Sequence, residues 1–180
     1  MSSFTKTALA FPGVLLITPV LREDARGNSL TIYNEEEFTE LGITTRFVQD
    51  YASFSKKGVV RGLHYQRPPH AQDKLIRPAT GKVLDIVAVY DQTSPDFSKY
   101  ISVELDAKKG EMLFVPGTYA HGFCVLNDEG ALVEYKLSDG YHPELAGGAR
   151  WNDPLFAITW PMSDPIVSAQ DAAWPLLTKD

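Results

Sequence analysis

Short apolar runs separated by turn residues set the tightest limit on how this chain can fold. The segments GVLLITPV, TRFVQDYASF, KGVVRGLHY, KLIRPATGKVLDIVAVY, KYISVEL, EMLFVPGTYAHGFCVL and ALVEYKL are rich in Val, Ile, Leu, Tyr and Phe, and 12 prolines and 13 glycines punctuate the chain. β-Branched and aromatic residues suit a pleated, half-buried surface, so the pattern predicts an all-β sandwich or barrel. Helix signals are few. NEEEFTELG predicts one short surface helix, with Asn34 as cap, Glu35 to Glu37 in the first turn and Gly42 as the stop. SAQDAAWPLL predicts a second brief turn capped by Ser168.

At 180 residues with 44% hydrophobic content the chain can bury a real core, and one domain over residues 1–180 is expected. The early stretch ALAFPGVLLI is too short to span a membrane and is broken by Pro12-Gly13, so it reads as strand material. Seventeen basic against 23 acidic residues give a net charge of −6, and no Lys/Arg run exceeds Lys56-Lys57 and Lys108-Lys109. A nucleic-acid footprint is therefore missing. Cys124, the single cysteine, can form no intrachain disulfide and reads as a small buried hydrophobe. These features together predict a cytoplasmic protein that partners neither membrane nor nucleic acid.

The stretch from Arg61 to Lys74, RGLHYQRPPHAQDK, is unusually polar for its place between apolar strands, and so is either a wet loop or the lining of a site. Histidine beside arginine, a lysine ten residues on, and the pair Tyr135-Lys136 suit proton transfer next to a carbonyl. The histidine would be the base, the tyrosine the acid, and a cation would hold the developing anionic oxygen. Strict alternation puts Arg61 and His64 on opposite faces of a sheet unless Gly62 marks a bulge. Asp85, in a strand apolar on both faces, must find a partner, whether for structure or for function. In GEMLFVPGTYAHGFCVLN, the spacing of Gly110, Pro116, Gly117 and His121, with Asn127 beyond, resembles the second motif of cupin barrels and suggests a double-sheet jelly roll. Cupin metalloenzymes add an H-x-H pair and a glutamate. This chain has no H-x-H, its other histidines being His64, His70 and His142, so a metal in the barrel is disfavoured and His121 reads as a donor or charge lining a pocket.

The segments KGVVRGLHYQ, PHAQDKLIR, GKVLDIVAV, SPDFSKYISVEL, VPGTYAHGFCVL, EYKLSD, RWNDP, ITWP and VSAQDAAWPLL, in this order through nearly the whole chain, resemble the dTDP-4-dehydrorhamnose 3,5-epimerase family. The resemblance implies a cupin-type jelly roll acting as a homodimer, with residues 1–30 exchanged between subunits. It implies no metal and no redox cofactor. The substrate would be a nucleotide-linked 4-keto-6-deoxyhexose of a deoxysugar pathway, inverted at C3, C5 or both. Carried onto this sequence, His64 matches the general base, Asp171 the carboxylate that orients it, Tyr135 the acid on the opposite face and Lys74 the lysine near the ketone oxygen. Arg61, Gln49 and His121 match groups around the diphosphate and sugar, Asp85 the acid paired with His121, and Arg26 a group close to the partner's nucleotide. The departures cluster at the nucleotide end. Where the family reads D-x-R-G-x-F-x-E this chain has DARGNSLT, with Ser29 for the aromatic and Thr31 for the glutamate; Tyr51 replaces an asparagine, and Gly140-Tyr141 stands for an aromatic pair. This predicts a CDP- or GDP-sugar, or a dTDP-sugar held differently, with Tyr51 as the stacking surface. The alternatives are a non-catalytic sugar-nucleotide binding protein on the same barrel and a metal-dependent cupin oxygenase or isomerase.

Overall fold

A side chain on every second residue of a strand faces the same way, and in the computed structural model, which describes residues 2–178, this periodicity builds two facing sheets. In chain order the elements are β1 (Phe4–Ala8), β2 (Leu15–Pro19), β3 (Arg22–Asp24), β4 (Gly27–Ser29), α1 (Glu35–Glu40), β5 (Gln49–Ser55), β6 (Val60–Gln66) and β7 (Lys74–Thr80). They continue with β8 (Lys82–Ala88), β9 (Tyr100–Asp106), β10 (Met112–Val115), β11 (Ala120–Val125), β12 (Ala131–Leu137), β13 (Ala146–Gly148) and α2 (Ala169–Ala173). One sheet runs β1-β2-β10-β7-β12-β5 and the other β13-β6-β11-β8-β9, while β3 and β4 form a separate hairpin. Neighbouring strands pair antiparallel in both sheets. The expected double-sheet sandwich with two short peripheral helices is the observed fold.

The core lies between the sheets. Ile76, Leu113, Val115 and Val133 come from the six-stranded side and Val83, Val87, Leu105, Phe123 and Val125 from the five-stranded side. Each such side chain contributes about 1.5–3 kcal/mol by leaving water. A second cluster covers the outer face of the six-stranded sheet, where Phe38 of α1 packs on Phe4, Ile17, Leu75, Met112 and Phe114. The chain after β13 covers the other outer face, setting Phe156, Ile158 and Trp160 against Leu63, Ile86, Ala88 and Ala120.

Both helices begin as expected. Asn34 Oδ1 accepts from Glu37 N at 3.0 Å, and Ser168 Oγ accepts from Asp171 N at 3.0 Å. Cys124 is buried, and burial pushes its thiol up to about 11, so it behaves as a hydrophobe. No helix among the described residues is long and apolar enough to cross a membrane.

Candidate active site

The sandwich interior changes character along the strands. On β12 the interior row Ala131 and Val133 continues as Tyr135; on β7, Ile76 is followed by Lys74; on β11, Val125 and Phe123 give way to His121. A cleft of about 500 Å³ opens there between the sheets, a size suited to a small-molecule ligand. Gln49, Tyr51, Lys74 and Tyr135 line it from the six-stranded side, and Arg61, His64 and His121 from the five-stranded side.

Arg61 and His64 share the cleft because β6 is bulged. His121 pairs with His64 and Phe123 with Arg61, so three steps on β6 oppose two on β11. Gly62 is the residue that permits this. Its φ is +118°, and a Cβ there would stand 2.6 Å from Gly122 Cα.

His64 Nε2 lies 2.5 Å from Asp171 Oδ1, with Asp171 held in the first turn of α2. Asp171 Oδ2 accepts from Gly62 N at 3.3 Å. Burial pushes the Asp171 carboxyl up, but the hydrogen bond and charge of His64 and the Gly62 N–H outweigh it and hold the group below its ordinary value. An ionised Asp171 commits His64 Nε2 as a donor, which leaves Nδ1 as the nitrogen with a free lone pair.

A second pair, fully interior, joins His121 and Asp85. Both Asp85 oxygens lie 2.9 Å from His121 Nε2. One N–H cannot satisfy both, and Oδ1 has no hydrogen-bond partner among the described residues. Burial pushes the Asp85 carboxyl up, against the opposing pull of His121. The partner that Asp85 required is thus His121, which meets the Tyr135 ring edge-on at 6.0 Å. Burial foremost, and then the Asp85 charge, push the Tyr135 hydroxyl well above its ordinary range against the counter-effect of Arg61. Tyr135 therefore keeps its proton at neutral pH. Lys74 is buried, its Nζ donates to Gln72 O at 3.2 Å, and burial pulls it down to about 8. Arg61 is aimed by Nε donating to Ser55 Oγ at 2.8 Å. The arrangement can remove a proton from one wall of the cleft, supply one from the other and hold an anion between them.

Arg26 sits elsewhere. It occupies the turn between β3 and β4, is 90% exposed, pairs with Asp24 at 2.6 Å, and lies outside the cleft of its own chain, as do Ser29 and Thr31. Tyr51 and Tyr141 are the exposed aromatics at the cleft. Sequence reading missed the buried glutamines. Gln66 Nε2 donates to Gly140 O at 3.0 Å and its Oε1 accepts from His142 N at 2.9 Å, while Gln72 Nε2 donates to the carbonyls of Asp139 and Gly140 at 2.8 and 2.9 Å. They tie the segment 139–142 down as the cleft's rim. Nothing local marks them as rim anchors, because their partners in the segment 139–142 lie about seventy residues away.

The sequence model of the family described as dTDP-4-dehydrorhamnose 3,5-epimerase matches residues 8–179. The dTDP-4-dehydrorhamnose 3,5-epimerase of Salmonella typhimurium is 42% identical over 170 residues, covering 93% of this chain and 92% of the relative. The enzyme of that name from Methanothermobacter thermautotrophicus is 38% identical over 180 residues, covering 98% and 95%. Among solved structures, a dTDP-4-dehydrorhamnose 3,5-epimerase from Bacillus anthracis with TDP and PPi bound matches with a TM-score of 0.92 at 37% identity, covering 97% of this chain and 99% of that one. These likenesses span both sheets and the cleft between them.

Proposed function

The chain belongs to the dTDP-4-dehydrorhamnose 3,5-epimerase family, and from that premise we propose that it inverts C3 and C5 of a nucleoside-diphosphate-linked 4-keto-6-deoxyhexose. The observation that carries this reading is the opposition of His64–Asp171 on one sheet to Tyr135 on the other across a single cleft. The C4 ketone acidifies the hydrogens on both neighbouring carbons. His64 Nδ1 takes one, the electron pair moves onto the C4 oxygen, and the Lys74 ammonium stabilises that enolate. Asp171 stabilises the imidazolium. Tyr135 then delivers a proton to the opposite face of the same carbon, which inverts it. Solvent takes the proton from His64 and resupplies Tyr135, closing the cycle. Each positioned proton-transfer group is worth roughly 100- to 10,000-fold in rate.

The relatives are named for dTDP-linked sugars, so such a sugar is the first substrate to try, beside its CDP and GDP analogues. In deuterium oxide the expected result is deuterium at C3 and C5 with inversion at both, read by NMR and mass spectrometry. Tight binding with no exchange would instead favour a non-catalytic binding protein.

The working unit in this reading is a homodimer. Among the described residues β5 is an unpaired edge of the six-stranded sheet, and on or beside it Val48 and Phe54 are each 57% exposed and Tyr51 50%. An unpaired edge flanked by exposed apolar side chains invites a second copy. Arg26, on a hairpin clear of its own cleft, would then serve the cleft of the partner.

A further inference from the structure

The rim of the cleft holds a side-chain cluster that the epimerisation does not use. His70, on the β6–β7 connection, and Asp139 and His142, on the β12–β13 connection, each offer a ligand atom, and the three atoms lie within 4.8 Å of one another. Asp139 bridges the two histidines, with Oδ2 at 2.8 Å from His70 Nδ1 and Oδ1 at 3.7 Å from His142 Nε2. The imidazole rings stack at 3.9 Å between centroids. Donors around a tetrahedral zinc-sized ion, at bonds of about 2.0–2.1 Å, stand roughly 3.3–3.4 Å apart. The two carboxylate–imidazole spacings bracket that value and all three atoms lie within 4.8 Å, so side-chain shifts of about an ångström and a turn of the stacked rings would seat an ion between the carboxylate and the imidazoles.

The surroundings are arranged for the same purpose. Glu144 Oε1 lies 3.3 Å from His142 Nδ1. A carboxylate at the far nitrogen fixes the tautomer that leaves Nε2 free to coordinate, the usual support for a metal-bound histidine. Gln66 anchors both segments, donating to His70 O at 2.5 Å and accepting from His142 N. With neutral imidazoles, Asp139 and Glu144 give the cluster a negative charge that a dication would offset. Two imidazoles and one carboxylate suit zinc, nickel or cobalt and not magnesium or calcium, which take oxygen ligands.

We propose that His70, Asp139 and His142 form a transition-metal dication site at the rim of the cleft, with a water completing the coordination, separate from the proton-transfer groups. The bound ion would clamp the two connections together and hold the segment carrying Tyr141 in place.

The test is calorimetric titration of the full-length, metal-stripped protein with Zn²⁺, with Co²⁺ absorption reporting nitrogen and oxygen ligation and Mg²⁺ as control. One ion per chain is expected, with Mg²⁺ inert at millimolar concentration and slowed amide exchange over residues 140–145 once zinc is bound. His70→Ala and His142→Ala should each weaken zinc at least about 100-fold, and Glu144→Gln about 10- to 100-fold. His64→Ala should bind zinc as the wild type does. Glu144 is 67% exposed, so its variant keeps the readout available if a histidine variant does not fold. No saturable zinc binding below millimolar concentration would overturn the proposal. So would undiminished affinity in folded His142→Ala or Glu144→Gln, or loss of binding in His64→Ala.

Discussion

In the proposed reaction His64 and Tyr135 take opposite tasks, and their surroundings fit them: His64 would act as base beside Asp171, and Tyr135, kept protonated by burial and by the nearby Asp85, would act as acid. His64→Ala or Asp171→Ala should cut deuterium incorporation at both carbons by roughly 100- to 10,000-fold while leaving nucleotide affinity within about twofold, because the base acts in the transition state. Unchanged exchange in a folded His64→Ala protein would refute the assignment. Tyr135→Phe should still remove protons but fail to return them from the far side, giving wash-in without inversion. Lys74 makes a prediction with two signs. Its folded value, about 8, lies below the ordinary 10.5, so between those values the unfolded chain binds more protons and stability rises with pH. The cation's burial therefore costs ~3 kcal/mol at neutral pH. Activity should run the other way, falling above pH 8 as the enolate loses its counter-charge. Lys74→Met should raise stability to denaturant at pH 7 and abolish turnover; a Lys74→Met protein that is less stable and still active would refute both. The family resemblance, more than any single motif, named Gln49, Tyr51, Arg61, His64, Lys74, His121 and Tyr135, which now line one cleft, and also Arg26, which lies outside it. Gln66, Gln72 and the His70–Asp139–His142 cluster were not legible, because each acquires its meaning from a contact across 67 to 76 residues.

Among the elements, β6 is the most constrained. Gly62→Ala puts a methyl group against the Gly122 backbone at a positive φ and disturbs the N–H that Asp171 accepts. It should cost at least ~1–3 kcal/mol in chemical denaturation and lower turnover further by displacing His64. A variant of wild-type stability would mean that the bulge tolerates a side chain. The β3–β4 hairpin bears on ligand choice, since Ser29 ends it and Thr31 follows, small residues at positions where the family resemblance implies an aromatic and a glutamate. Losing a stack (~0.5–1.5 kcal/mol) and a charge-assisted hydrogen bond (~1.5–3 kcal/mol) should erode the preference for thymidine. Titrating dTDP, CDP and GDP is expected to show no preference for dTDP, and a margin of tenfold or more in its favour would restore an ordinary thymine pocket, built then from Tyr51 or Tyr141. The longer strands and both helices could be read in advance because apolar runs and capping residues are local signals. β3, β4 and β13 could not: Arg22–Asp24, Gly27–Ser29 and Ala146–Gly148 carry no apolar run, and pairing alone makes them strands.

For the whole molecule, the free β5 edge and the outlying Arg26 lead to a complementation experiment. Arg26→Ala and His64→Ala proteins should each be nearly inactive as purified. Mixed under conditions that let subunits exchange, they should recover activity, since one cleft in each heterodimer would have both an intact His64 and an intact arm from its neighbour. Light scattering of the wild type should report twice the chain mass, and a fully active monomer would contradict the arrangement. The pairing of His64 with Asp171 has a further consequence in time. Their separation of 107 residues means that a ribosome adding ~5–20 residues per second makes the histidine roughly 5 to 20 seconds before its carboxylate. During that interval β6 to β13 can emerge and pair, yet the imidazole has nothing to fix its tautomer. A nascent chain whose two sheets have already paired would therefore still lack the carboxylate that holds His64 until α2 docks.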